Sequence, residues 1–235
     1  MAKPTTKSAA RHEIVMGQLM EAAERLFAQQ GVAGTSLQEL ADAVGLTRTG
    51  IYHYVRNKDE MLEALVQGFT LETAEDMRCL AADTSAPAID RLREAVTRAA
   101  LKVAQHPRRF RLLLTSESSF PDALAKQYRQ ARRQTLAGLT DLVAQAIREG
   151  SCRPVEPELA AFGLLGAANW VAFWYPRTEG PGSRAPEEVA AALADNAVDG
   201  LRAPRGAPEG GDGVTHVLGL LEDDLGRLKR IIDQG

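Results

Sequence analysis

Between Ala43 and Lys58 no side chain is acidic, while Arg48, Arg56 and Lys58 are positive and Thr49, Tyr52 and His53 lie among them. That set suits recognition of a polyanion better than it suits making or breaking bonds. An arginine can donate two hydrogen bonds to a guanine edge, a threonine can meet a base edge or a thymine methyl, and tyrosine and lysine can reach phosphates. Bond-making chemistry finds little elsewhere in the chain. The four histidines, His12, His53, His106 and His216, form no pair at ligand spacing on one helix face. Cys79 and Cys152 are far apart, and there is no Gly-x-Ser-x-Gly elbow, phosphate-cradling glycine loop or Cys-x-x-Cys. The expectation is a protein that is not an enzyme and needs no metal or cofactor.

The elements that must position those side chains are legible nearby. Ser36 with Glu39 three residues on forms a Ser-x-x-Glu capping box. Leu37, Leu40, Ala41 and Val44 then recur at helical spacing. Gly45 stands where a helix ends in a left-handed residue, Leu46 is an apolar anchor at the turn, and Thr47 can cap the next helix by accepting from a backbone N–H near Gly50. That helix, 48–55, turns Ile51 and Val55 inward and leaves Arg48, Thr49, Tyr52 and His53 outward. Asn57 caps a further helix. Two helices joined by a short glycine-containing turn make a helix-turn-helix, whose second helix can enter a major groove. Arg48, Thr49 and His53 are the expected base readers, with Gln38 added from the preceding helix. Thr35, Ser36, Thr47, Tyr52, Tyr54 and Lys58 are expected at phosphates, and Gly50 lets the helix approach the groove wall. On spacing alone, an ordinary helical hairpin with a solvated polar face fits equally well.

Resemblance separates the two. The run GVAGTSLQELADAVGLTRTGIYHYVRNKDEML is similar to the N-terminal signature of the TetR family of bacterial transcription repressors, through Gly31, Thr35-Ser36, Leu40-Ala41, Gly45-Leu46-Thr47, Ile51-Tyr52-His53-Tyr54, Asn57-Lys58 and Leu62. Val55 departs mildly, since many members carry Phe there; packing changes and contacts do not. The resemblance implies an all-helical homodimer that binds a palindromic stretch of double-stranded DNA and is released by a small-molecule inducer. It specifies neither the operator nor the inducer.

The rest of the chain, 235 residues in all, fits that plan. A formal net charge of -3 gives no global attraction to nucleic acid, so attraction must be local. Prolines at 87, 107, 121, 154, 157, 176, 181 and 186 punctuate strong helix formers, which predicts helices over 58–83, 88–105, 108–118, 121–149, 157–175 and 186–202. No stretch reads as a strand, so the fold class is all-α. An earlier helix over 11–30 should bury Ile14, Val15, Leu19, Ala22, Ala23, Leu26 and Phe27 and end at Gly31. The predicted division is a helix-turn-helix domain over 1–56, a ligand-binding and dimerisation domain over 57–202, a Gly/Pro-rich linker over 203–213 and an amphipathic helix over 214–235. Val214, Leu218, Leu221, Leu225, Leu228 and Ile232 form a heptad seam in that last helix, an addition to the usual plan that reads as an extra dimer or tetramer contact. Lys3, Lys7 and Arg11 could touch DNA, but a solvated tail is the simpler description.

Two body segments bear on function. Residues 158–175 are apolar nearly all round, and 186–201 carry the stripe Val189, Ala192, Leu193, Ala197 and Leu201. By resemblance these helices pair across a two-fold axis. Phe110, Leu113, Trp170, Phe173 and Trp174 are candidates for lining a ligand cavity, although aromatic residues at helical spacing are more often plain core. The order LLGAANWVAFWYPRTEG followed by PEEVAAALADNAVDGL resembles a subgroup that senses acyl-CoA thioesters. In that reading Arg108, Arg109, Arg111, Arg129, Arg132 and Arg133 become candidates for CoA phosphates, against the default of solvated helix-face charge. No apolar run reaches membrane-spanning length, and the expected place is the cytoplasm. The alternative function is a helical ligand-binding or interaction module without DNA binding, against which an intact surface over 48–58 argues.

Overall fold

The computed structural model describes residues 6–175, 184–203, 218–219 and 221–222. The linker expected over 203–213, and the helix expected over 214–235 apart from four of its residues, lie outside that set; Leu218 and Leu221 within it are helical and exposed. Among the described residues there are helices and no strand, with one isolated antiparallel bridge between Cys152 and Arg202.

Helix α1, Thr6–Gly34, is interrupted at Gly31, whose φ of 76° few residues other than glycine adopt easily. Leu19, Ala22, Ala23 and Phe27 are buried as expected. Ile14 is not: it is 63% exposed, and the apolar face of α1 begins at Val15, half-buried against the core. Helices α2, Leu37–Ala43, and α3, Arg48–Ile51, follow, and residues 52–54 continue α3 as a turn, with His53 and Tyr54 N–H bonding three residues back. Helix α4, Lys58–Val66, then runs into α5, Glu72–Ala82, through a π-helical segment over Gln67–Leu71. The predicted helix over 58–83 is therefore one rod with a wide turn in its middle, a feature often found beside functional sites.

Prolines at the cap or first position start the remaining helices: α6, Ala88–Gln105; α7, Pro107–Thr115; α8, Asp122–Arg148; α9, Pro157–Trp174; and α10, Pro186–Asp199. Helix α10 lies on α6, α5 crosses α8, and α6 and α8 both pack on α9. The α5–α8 crossing is close: a Cβ at Gly138 would stand 2.9 Å from Met77 Cβ. Arg91, 4% exposed, closes the end of α5 by donating to the carbonyls of Leu80, Ala81 and Ala86 and to Gln145 Oε1. One apolar cluster runs from Leu19, Leu40 and Ile51 through Met61, Leu65 and Phe69 to Leu113, Tyr128 and Val171, and a second is built on Leu92, Leu139, Leu142 and Leu164.

The stripe expected on 186–201 is shifted. Helix α10 buries Val189, Ala190, Ala194 and Val198, while Ala192 is exposed and Leu193, Ala197 and Leu201 are half-buried. Helix α9 buries Ala161, Leu164, Ala168, Val171 and Ala172 and leaves Leu159, Phe162, Gly163, Gly166, Trp170 and Trp174 bare. Among the described residues no helix is long and apolar enough to cross a membrane.

Candidate nucleic-acid interface

Local chemistry builds the reading head. The Ser36 side chain accepts from Glu39 N–H at 3.2 Å, and Ser36 N–H donates to Glu39 Oε2 at 2.7 Å, so the capping box is complete. Those bonds, with the Ser36 hydroxyl and Gln30, hold the Glu39 carboxyl below its ordinary 4.5. Gly45 has φ 72°, the left-handed residue the turn needs. Thr47 Oγ1 accepts from Gly50 N–H at 3.0 Å, and Ile51 and Val55 are buried beneath the turn, with Leu46 half-buried. Gly50 has a reason of its own inside the chain: an added Cβ would stand 3.1 Å from Thr47 Oγ1 and crowd that cap.

This scaffold presents Arg48, Thr49, Tyr52 and His53 to solvent on one side. Arg48, Thr49 and His53 have no side-chain partner among the described residues, so their donors and acceptors are uncommitted. The Thr47 hydroxyl accepts within the cap and keeps its O–H for an outside acceptor. Gln38 donates to Asp42 Oδ1 at 2.7 Å, which leaves its second N–H and its Oε1 for a base. Tyr54 is half-buried and stacks on His12 of α1, centroids 4.9 Å apart.

Two expected phosphate contacts take other roles. Thr35 is 1% exposed and its hydroxyl donates to Gly31 O at 2.9 Å, stitching the chain where α1 is interrupted; it is withdrawn from any backbone phosphate. Lys58 Nζ donates to Val32 O at 2.8 Å and Ala33 O at 3.4 Å, satisfying carbonyls at the end of α1. An ammonium has three donors, which leaves one for a phosphate.

In the body, a cavity of about 520 Å³ opens between the π segment, α6, α7, α8 and α9. Its apolar lining includes Phe69, Val103, Phe110, Leu113, Tyr128 and Phe162, and its cations are Lys102, Arg129, Arg132 and Arg133, with Lys102 over the Phe69 ring and Arg132 over that of Tyr128. Glu117 lies 3.2 Å from Arg129 and 3.4 Å from Arg132, and Lys102 pairs with Glu72 at 3.1 Å. Phe110 and Leu113 thus reach the cavity as expected. Trp170, Phe173 and Trp174 do not: Trp170 is 63% and Trp174 37% exposed, and Phe173 packs on the head-side cluster. Arg109 and Arg111 are committed elsewhere, to Glu24 and to the Ala172 carbonyl, whereas Arg129, Arg132 and Arg133 line the cavity. Phe69, Thr70 and Thr73 escaped the sequence reading; Gly68 and Thr70, poor helix formers in mid-helix, were the available signal.

Comparison with known proteins gives the following. The family described as "Bacterial regulatory proteins, tetR family" matches residues 19–65, and "Tetracyclin repressor-like, C-terminal domain" matches residues 85–201. A curated relative, the HTH-type transcriptional repressor KstR2 of Mycobacterium tuberculosis, is 26% identical over 170 residues, covering 70% of this chain and 82% of its own. The crystal structure of AibR in complex with isovaleryl coenzyme A and operator DNA superposes with a TM-score of 0.62 at 27% identity, over 81% of this chain and 99% of that one. The TetR family regulator PfmR from Thermus thermophilus superposes with a TM-score of 0.65 at 25% identity, over 79% of this chain and 100% of that one.

Proposed function

This chain belongs to the TetR family of bacterial transcription regulators, and from that premise we propose that it is a homodimeric repressor released from a palindromic operator by an anionic thioester of the acyl-CoA type. The single observation that carries DNA binding is the capped α3, whose Arg48, Thr49 and His53 face outward with no acid between Ala43 and Lys58. Two such helices, related by a two-fold axis, enter successive major grooves roughly 34 Å apart. Arg48, Thr49 and His53 read base edges, and Thr47, Tyr52 and the remaining donor of Lys58 hold phosphates, which Ser36 joins only by withdrawing its O–H from Glu39 Oε2. The head and the ligand-binding body share the α4–α5 rod, so the division near residue 57 is one of role.

The mixed lining of the cavity supports this ligand class. Its volume lies in the range of small-molecule sites. The aromatic and aliphatic lining suits an acyl group, and the cations set among it suit phosphates, Arg133 directly and Lys102, Arg129 and Arg132 by exchanging Glu72 and Glu117 for the ligand. AibR, crystallised with isovaleryl coenzyme A, is a relative in which such a ligand and operator DNA are both bound. Occupancy would press on Phe69, Thr70 and Thr73 in the π segment and the turn after it, and the ligand shifts the heads only by its differential affinity for the two conformers.

Selection of bound genomic fragments with the purified protein, followed by calorimetry with octanoyl-CoA, octanoate and free CoA, tests both parts. The expected result is one enriched palindromic duplex, and heat from the thioester exceeding that from octanoate. No preference for any duplex over random competitor would remove the DNA-binding part. Equal heats from octanoate and thioester would remove the thioester.

A further inference from the structure

Helix α7 faces three parts of the molecule at once. Phe110, Leu113 and Leu114 line the cavity. Arg111 donates to the carbonyl of Ala172 near the end of α9. On the head side, Arg109 Nε donates to Glu24 Oε1 at 2.6 Å, and Arg109 Nη2 lies 2.5 Å from the same oxygen. Glu24 belongs to α1, next to the buried Ala23 and one turn before Phe27. The partners are 85 residues apart in the chain, so this bond joins head to body without using the α4–α5 rod.

The pair stands apart from the others. With side-chain exposures of 14% and 10%, it is the ion pair among the described residues in which both partners are most withdrawn from water. Adhesion alone does not explain it, because a buried ion pair replaced by well-packed apolar groups is often no less stable. What a buried pair does well is fix one relative placement of two helices, since leaving it strands a charge. Burial pushes the Glu24 carboxyl above its ordinary 4.5 even with Arg109 beside it. The bond is thus held against a desolvation cost, and a small displacement of either helix weakens it.

We propose that α7 is a strut between the cavity and the reading head, with Glu24–Arg109 as its joint: a ligand pressing on Phe110, Leu113 and Leu114 displaces α7, and Arg109 carries that displacement to α1. Glu24 and Arg109 are positioning residues, and neither touches DNA or ligand. The proposal rests on the reading above that the cavity holds the inducer.

The experiment measures operator affinity by fluorescence anisotropy, with and without saturating octanoyl-CoA, on the genomically selected duplex. The readout is the ratio of the two dissociation constants, for which coupled sites give about 5- to 150-fold. Glu24→Gln and Arg109→Gln are each expected to pull that ratio toward one, with octanoyl-CoA affinity of the DNA-free protein within about twofold of the parent. The exchange Glu24→Arg with Arg109→Glu should restore most of the ratio, and this ratio, unlike a melting temperature, is not moved by a pair that only adds fold stability. A parental ratio in Glu24→Gln overturns the proposal, and so does an exchange variant as uncoupled as the singles. If octanoyl-CoA gives no heat with the parent, the thioester reading fails and the strut is tested by filling the cavity from within. Leu114→Trp is then expected to weaken operator binding in the parent and by a smaller factor in Glu24→Gln; equal factors overturn the proposal.

Discussion

Arg48 and Lys58 are both cations beside the recognition helix, and the structure gives them unlike surroundings. Arg48 is exposed and uncommitted, so Arg48→Ala is expected to cost about 1–3 kcal/mol of operator affinity and relax preference at one base pair, as measured by anisotropy against single-site operator variants. Lys58 already serves two carbonyls of the α1 end, so Lys58→Met should lower the melting temperature as well as reduce the salt slope of DNA binding by about one ion. An unchanged slope with a lowered melting temperature would leave it only the structural role. Glu39 adds a pH dependence. Its folded carboxyl is depressed mainly by the Ser36 N–H, so its stabilising contribution is present above 4.5 and is lost as pH falls through the folded value. The melting-temperature gap between parent and Glu39→Gln should therefore narrow in acid below that point, and a gap independent of pH would deny the charged cap a part. The caps at Ser36, Thr47 and Asn57 were legible in the sequence because each partner lies three residues away. The partners of Thr35, Lys58 and Arg109 were not, because a backbone carbonyl at a helix break, or a carboxylate 85 residues distant, leaves no local pattern.

At the scale of elements, prolines began helices within a residue of where the sequence placed the starts, since a missing N–H and a fixed φ suit a first turn whatever the neighbours do. By contrast, α7 and α10 end at Thr115 and Asp199, short of the ends expected at 118 and 202. Three features depended instead on packing. The π segment over Gln67–Leu71 adds a residue to one turn, which a periodicity count does not register. The buried face of α10 is set by where α6 lies, and Trp170, Phe173 and Trp174 of α9 lie off the cavity, which takes Phe162 from that helix instead. The α5–α8 crossing gives an element-scale prediction. A Cβ at Gly138 would stand 3.1 Å from Met77 C and O as well as 2.9 Å from its Cβ, and backbone cannot swing aside as a side-chain tip can. Gly138→Ala should push α5 off α8 and cost about 1–3 kcal/mol in urea unfolding. Because α5 continues the π segment that lines the cavity, octanoyl-CoA affinity should fall with it. Unchanged stability would mean that the two helices are free to slide apart.

For the whole molecule, the bare face of α9 is the feature the single chain leaves unresolved. Leu159, Phe162, Trp170 and Trp174 line it at spacings of three to eight, with Gly163 and Gly166 between them. Neither glycine is needed inside the chain, since an added Cβ at either would meet nothing within 4 Å, yet each costs a helix interior about 1 kcal/mol relative to alanine. Gly166, with Phe162, also lines the cavity, so the absent side chain at Gly163 is the one that leaves room on this face beyond the described residues. A second copy is the occupant that also supplies the second reading head a palindrome requires. Trp170→Glu is accordingly expected to halve the mass seen by light scattering. Operator affinity should drop to that of a half-site, and the protein should still melt cooperatively. Gly163→Leu, which fills the same face with apolar bulk and adds no charge, should also dissociate the pair if close helix approach is what the glycine permits. Should Trp170→Glu remain dimeric with parental operator affinity, pairing would run through another surface, and the bare α9 stripe would need a different partner.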